Sequence, residues 1–152
     1  MMRITNLADY ALILSCQLAH STEGLHSAVS LSETTGIPIP TVSKILGNLA
    51  RNNILVSQRG LGGGFKLQRP ATDVTVAQII EAIDGPICLT SCVDDDFDCD
   101  FYKLCTMRPH WHSINNAVRE ALNGISLQQI SSTPEPTSFL KGFSGRAHDR
   151  AQ

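Results

Sequence analysis

Cys92, Cys99 and Cys105 lie in the run CVDDDFDCDFYKLC, with six and then five residues between them. Thiolates are soft ligands, suited to iron–sulfur clusters or zinc rather than to hard cations. Three of them in a polar segment need a metal or a disulfide to hold them, and an ordinary iron–sulfur cluster or structural zinc site takes four ligands. The run is therefore one ligand short within itself. A cluster, a zinc or mononuclear iron site, and three unrelated thiols are all compatible with the spacing. Nearby side chains that can complete a site are Cys88, His110 and His112, imidazole being an accepted cluster ligand. Each has a plainer role: Cys88 in packing the end of the preceding helix, the two histidines in simple exposure at a helix start. Cys16 falls inside a helical pattern and reads as a core thiol.

Charge separates two functions along the chain. The formal net charge is −2, yet residues 34–72 carry Lys44, Arg51, Arg59, Lys66 and Arg69 and no acidic residue. Residues 93–100 hold Asp94, Asp95, Asp96, Asp98 and Asp100. A basic module beside an acidic loop suits a polyanionic partner better than the sum suggests. The aspartates either disfavour an anionic cluster electrostatically, at a cost set by their exposure, or form a solvated loop with no role. No secretory signal and no run of ~20 apolar residues is present, so a cytoplasmic protein without a membrane partner is expected. Five cysteines in a reducing compartment favour metal or redox chemistry over structural disulfides. No Ser/His/Asp set appears, and GLGGGF lacks the Lys-Ser/Thr of a phosphate loop, so an enzyme is not expected.

The elements that must position these residues follow from periodicity and punctuation. The chain has 152 residues, 42% of them hydrophobic, enough for one compact domain and an appendage. Leu7, Tyr10, Ala11, Leu14 and Leu18 predict a helix over 6–20, capped by Asn6 with Asp9 in its first turn. Ser30 or Ser32 caps a short helix ended by Gly36. A second helix runs from about Pro40 to Asn53 on the face Val42, Ile45, Leu46 and Leu49, completing a helix-turn-helix. Strands at 54–59 and 65–69 flank the turn GLGGG, and a helix covers 75–85. Trp111, Ile114, Val118, Ala121, Leu122 and Ile125 form an apolar stripe that predicts pairing with a second copy. The expected organisation is a mainly α winged helix-turn-helix domain over 1–85, a cysteine-rich cluster-binding loop over 86–107, a long dimerisation helix over 108–130 and a disordered tail over 131–152.

These residues resemble the IscR/NsrR family of bacterial iron–sulfur winged-helix repressors. The match rests on MRIT..ADYAL, PTVSKIL..L...NIL, SQRGLGGGFKL and TVAQIIEAIDGP, followed by the cysteines and a final amphipathic helix. EAIDGPICLTSC and MRPHWHSIN look most like regulators of the SUF cluster-assembly operon. The resemblance implies a homodimer on a double-stranded DNA operator, with Cys92, Cys99 and Cys105 holding one [2Fe-2S] or [4Fe-4S] cluster. The histidine that the IscR branch has three positions after the last cysteine is Arg108 here. The NsrR branch instead supplies an aspartate from the first helix of the other subunit, and Asp9 stands at the matching place. The resemblance puts DNA contacts at Thr41, Ser43 and Lys44 of the recognition helix and at Arg59 and Gly60 of the wing. Ser43 replaces a glutamate of IscR-like proteins, so the operator is expected to differ. The function implied is a repressor of cluster-assembly genes that reports cluster status. The alternatives are the same fold sensing nitric oxide or iron, and a DNA-independent iron–sulfur electron carrier or enzyme.

Overall fold

The computed structural model describes residues 4–21, 24–90, 93 and 105–132. Six helices and a two-stranded antiparallel sheet are found among them. In chain order they are α1 (Asn6–His20), α2 (Ala28–Thr35), α3 (Ile39–Arg51), β1 (Leu55–Gln58), β2 (Gly64–Leu67), α4 (Val76–Asp84), α5 (Arg108–Asn123) and α6 (Leu127–Ser132). One core joins all of them except α5. Ala11, Leu14 and Leu18 of α1 meet Leu31 of α2, Val42, Ile45, Leu46 and Leu49 of α3, Leu55 of β1, Ile79 of α4 and Leu127 of α6. The apolar face predicted for α3 is the one observed, fully buried.

Two helix caps differ from expectation, each for a hydrogen-bonding reason. Thr5, not Asn6, caps α1: its hydroxyl accepts from the Ala8 N–H at 3.2 Å and donates to Asp84 Oδ1 at 2.6 Å. Ser27, not Ser30 or Ser32, caps α2, accepting from the Ser30 N–H at 3.0 Å. Ser32 instead donates to the Ile37 carbonyl and fastens the turn into α3. Gly36 ends α2 with φ 74°, as its residue type predicts. α3 is left without a side-chain cap and without an acidic residue in its first turn. Thr75 and Gln78 form a reciprocal capping box at the start of α4.

The wing is shorter than the predicted 54–59 and 65–69. Leu55 pairs with Leu67 and Gln58 with Gly64. Its base is tied to the body by a backbone bridge, in which His26 and Phe65 exchange both N–H···O bonds at 2.9 Å. Gly64 permits this approach, since a Cβ there would stand 2.6 Å from the His26 carbonyl oxygen.

The largest departure is at the C-terminal end, where no single helix spans 108–130. α5 stops at Asn123, and the chain turns back at Gly124. It then runs beside residues 71–76, with Ile125 accepting from Val76 N–H at 2.9 Å and Leu127 donating to Val74 at 2.7 Å. Leu127 is completely buried, and α6 packs on α1. Ile125 therefore belongs to a turn on the body, not to the stripe of α5. The tail predicted for 131–152 lies, beyond Ser132, outside the described residues.

Candidate DNA interface and cysteine loop

The helix-turn-helix sorts the α3 side chains cleanly. With Val42, Ile45, Leu46 and Leu49 committed to the core, Ser43 and Lys44 are exposed and Thr41 is half-buried. All three lie in the first half of α3, where recognition helices meet base edges. The uncapped N-terminus adds a partial positive charge with no carboxylate to neutralise it. Arg59 follows β1 immediately and is exposed, as are Gly60 and Lys66. Gly60 has φ 101°, a backbone conformation that glycine supplies without strain. Arg69 is partly occupied within the fold, reaching the Asp73 carbonyl at 3.3 Å and Gln78 Oε1 at 3.4 Å.

Of the three loop cysteines, Cys105 is described, and Cys92 and Cys99 lie outside the described residues. Cys105 is a half-buried free thiol three residues before α5. Cys16 packs against the core from α1, and burial pushes its thiol pKa up, so it stays protonated and a poor metal ligand. Cys88 is exposed and lines a cavity of about 510 Å³ with Glu81, His112, Asn115 and Arg119. His110 is exposed on the first turn of α5. Among the described residues, no three His, Cys, Asp or Glu side chains stand close enough to hold a metal. Asp9 is exposed one turn into α1, and its carboxylate has no hydrogen bond or ion pair among the described residues. Asp84, by contrast, is engaged by Thr5.

Asn115 is a loop-holding residue that the sequence did not single out. It is the one buried side chain of α5, 5% exposed. Its amide accepts from the Leu89 N–H at 2.9 Å and donates to the Ile87 carbonyl at 2.8 Å, clamping the first limb of the cysteine loop. The signal was an amide one turn after Trp111, inside an otherwise apolar stripe. On the next turn Arg119 makes a two-pronged ion pair with Glu81 of α4, at 2.8 and 3.2 Å. Glu81, by hydrogen bond and by charge, raises the Arg119 pKa further above its ordinary value. Asn115→Ala leaves the half-buried Leu89 N–H and Ile87 carbonyl without their partner and is expected to cost about 1 kcal/mol. Urea unfolding should read this loss, with faster amide exchange at Leu89.

Helix-turn-helix, glycine-tipped wing and exposed basic side chains together define a winged-helix DNA-binding regulator. The chain belongs to the Rrf2 family of iron-dependent transcriptional regulators, which it matches over residues 4–133. It is 32% identical to a putative HTH-type transcriptional regulator, ORF2, of Azotobacter vinelandii, covering 99% of this chain and 89% of that one. It is 28% identical to the HTH-type transcriptional regulator IscR of Pectobacterium carotovorum, covering 88% of this chain and 82% of that protein. Among solved structures it resembles CymR, the global cysteine regulator of B. subtilis, with TM-score 0.68 and 26% identity over 87% of this chain and 98% of that one. These relatives are regulators of transcription and not enzymes, which decides against the enzyme alternative. No helix among the described residues is long and apolar enough to cross a membrane.

Proposed function

We propose that this regulator is a homodimeric repressor that binds an iron–sulfur cluster through Cys92, Cys99 and Cys105 and controls SUF-type cluster-assembly genes. The observation that carries the reading is the attachment of the cysteine loop to the DNA-binding body. Asn115 holds the loop's first limb, Arg119 ties α5 to Glu81, and Asn52, which follows α3, donates to the Ala82 carbonyl of α4 at 3.4 Å. A change in the loop thus has a packed route to the end of the recognition helix.

The donor set fits the group. Three soft thiolates in a polar loop suit iron–sulfur chemistry, and Cys105 is half-buried and free to ligate. When bound, the cluster supplies a redox-sensitive centre whose loss or conversion is the signal. The chain's own residues do the rest: cysteines bind, Asn115 orients, and α3 with Arg59 and Gly60 at the wing read DNA. The half-exposed apolar stripe of α5, with Ile114 42% exposed, supports pairing with a second copy.

Asp9 is the fourth ligand of this proposal, supplied across the dimer. Its exposure and its unengaged carboxylate support the assignment, whereas Asp84 is already bound to Thr5. Asp9→Ala is expected to leave thermal unfolding of the apo protein nearly unchanged and to alter the visible spectrum and shorten the lifetime of the cluster. An unchanged spectrum and lifetime would hand the position to His110, His112 or Cys88. An oxygen ligand makes the cluster labile, which also accommodates nitric oxide or iron as the signal. Exposing the loaded protein to each, while following absorbance and DNA release together, separates these inputs.

A further inference from the structure

Leu61 sits at the tip of the wing with 110% relative exposure, while no other large apolar side chain among the described residues exceeds 50%. Single exposed leucines are ordinary, but the support for this one is not. The Gly63 N–H donates to the Gly60 carbonyl at 3.0 Å and Gly62 has φ 80°, which makes residues 60–63 a type II turn with Leu61 at its second position. That position favours proline and asks nothing of leucine. The turn is closed tightly on β1, since a Cβ on Gly63 would stand 2.2 Å from the Gln58 carbonyl oxygen. At the other end the His26–Phe65 bridge anchors the wing's base. Leu61 is thus held out on a braced hairpin, two residues beyond Arg59.

We infer that Leu61 is a specificity-determining wedge that enters the operator's minor groove beside Arg59 and opens one base step. The charge of its chain segment points to the occupant: residues 34–72 carry five basic side chains and no acidic one, with Arg59 two residues before Leu61, which suits a polyanion. A leucine has no hydrogen-bonding group and cannot read base edges. It can bury its side chain against sugars and unstacked bases, as apolar wedges do in minor-groove binders. The cost of opening is lowest at pyrimidine–purine steps, so the leucine selects sequence by deformability. A narrow A·T groove for Arg59 next to a flexible step for Leu61 is the operator feature that results.

The inference rests on the wing meeting DNA, so its test carries Arg59→Ala in parallel. Duplexes selected from a random pool by the full wild-type chain are labelled at both ends for bending, with 2-aminopurine at successive steps. Leu61→Ser is expected to weaken binding about tenfold or more, reduce the bend and abolish the fluorescence rise at one step. Leu61→Met should retain all three properties. Wild-type affinity, bend and fluorescence in Leu61→Ser, with Arg59→Ala weakened, overturn the wedge alone. If neither variant differs from wild type, the wing contact itself fails and the wedge with it.

Discussion

Replacing Cys92, Cys99 or Cys105 singly with alanine is expected to abolish the visible absorbance of anaerobically isolated protein, while the helical circular dichroism persists. The two halves of this expectation have separate causes. With one thiolate gone, two remain, too few to hold a cluster that ordinarily takes four ligands. The fold should survive because no described residue of 86–107 belongs to the core, which is assembled from α1, α2, α3, β1, α4 and α6 with Ile37, Ile54, Ala71 and Val74. Cys16→Ala is the matched control. Its thiol is kept protonated by burial, so the absorbance should stay while stability falls modestly. Cys88→Ala reports whether that exposed thiol, on the cavity with His112 and Arg119, takes any part. Full absorbance in all three loop variants would place the cluster on other ligands.

The second large effect is expected at the wing. Arg59→Ala should weaken operator binding by about 1–3 kcal/mol, the worth of a good specific contact, and lower the salt slope by about one. Arg59 has no competing partner among the described residues and stands exposed on a hairpin braced by its glycines. The loss should be greatest on operators with a narrow A·T minor groove, where the guanidinium gains most from the groove's potential. Lys66→Ala should weaken binding more evenly across sequences, as a phosphate contact does. Competition binding on A·T and G·C variants of one operator checks both. A uniform, small effect of Arg59→Ala would move the wing away from the groove.

Much of this architecture was legible because periodicity and turn chemistry are local. The buried face of α3, the glycine stop of α2 and the hairpin over GLGGG follow from spacing alone. What escaped depends on contacts distant in sequence. Thr5 outranks Asn6 as a cap because Asp84, 79 residues away, receives its hydroxyl. The bridge from His26 to Phe65 has no signature in either segment. α5 and α6 read as one helix because Ile125 extends an apparent stripe, yet backbone pairing with 74–76 turns the chain at Gly124. Within the site, the residue types proposed for DNA contact and metal binding could be picked out from the sequence, whereas the Asn115 clamp could not. A buried amide looks like a flaw in an apolar stripe until the loop carbonyl and N–H it satisfies are seen.

The central claim is that cluster occupancy changes operator affinity. Holo and apo protein should be titrated against one selected operator at fixed salt, anaerobically, with iron and sulfide quantified in each sample. A marked difference in affinity between the two forms is predicted, and it should vanish in the Cys105→Ala variant. Equal affinity of fully loaded and fully emptied protein would contradict the sensing role and leave a winged-helix regulator whose cysteine loop serves another purpose.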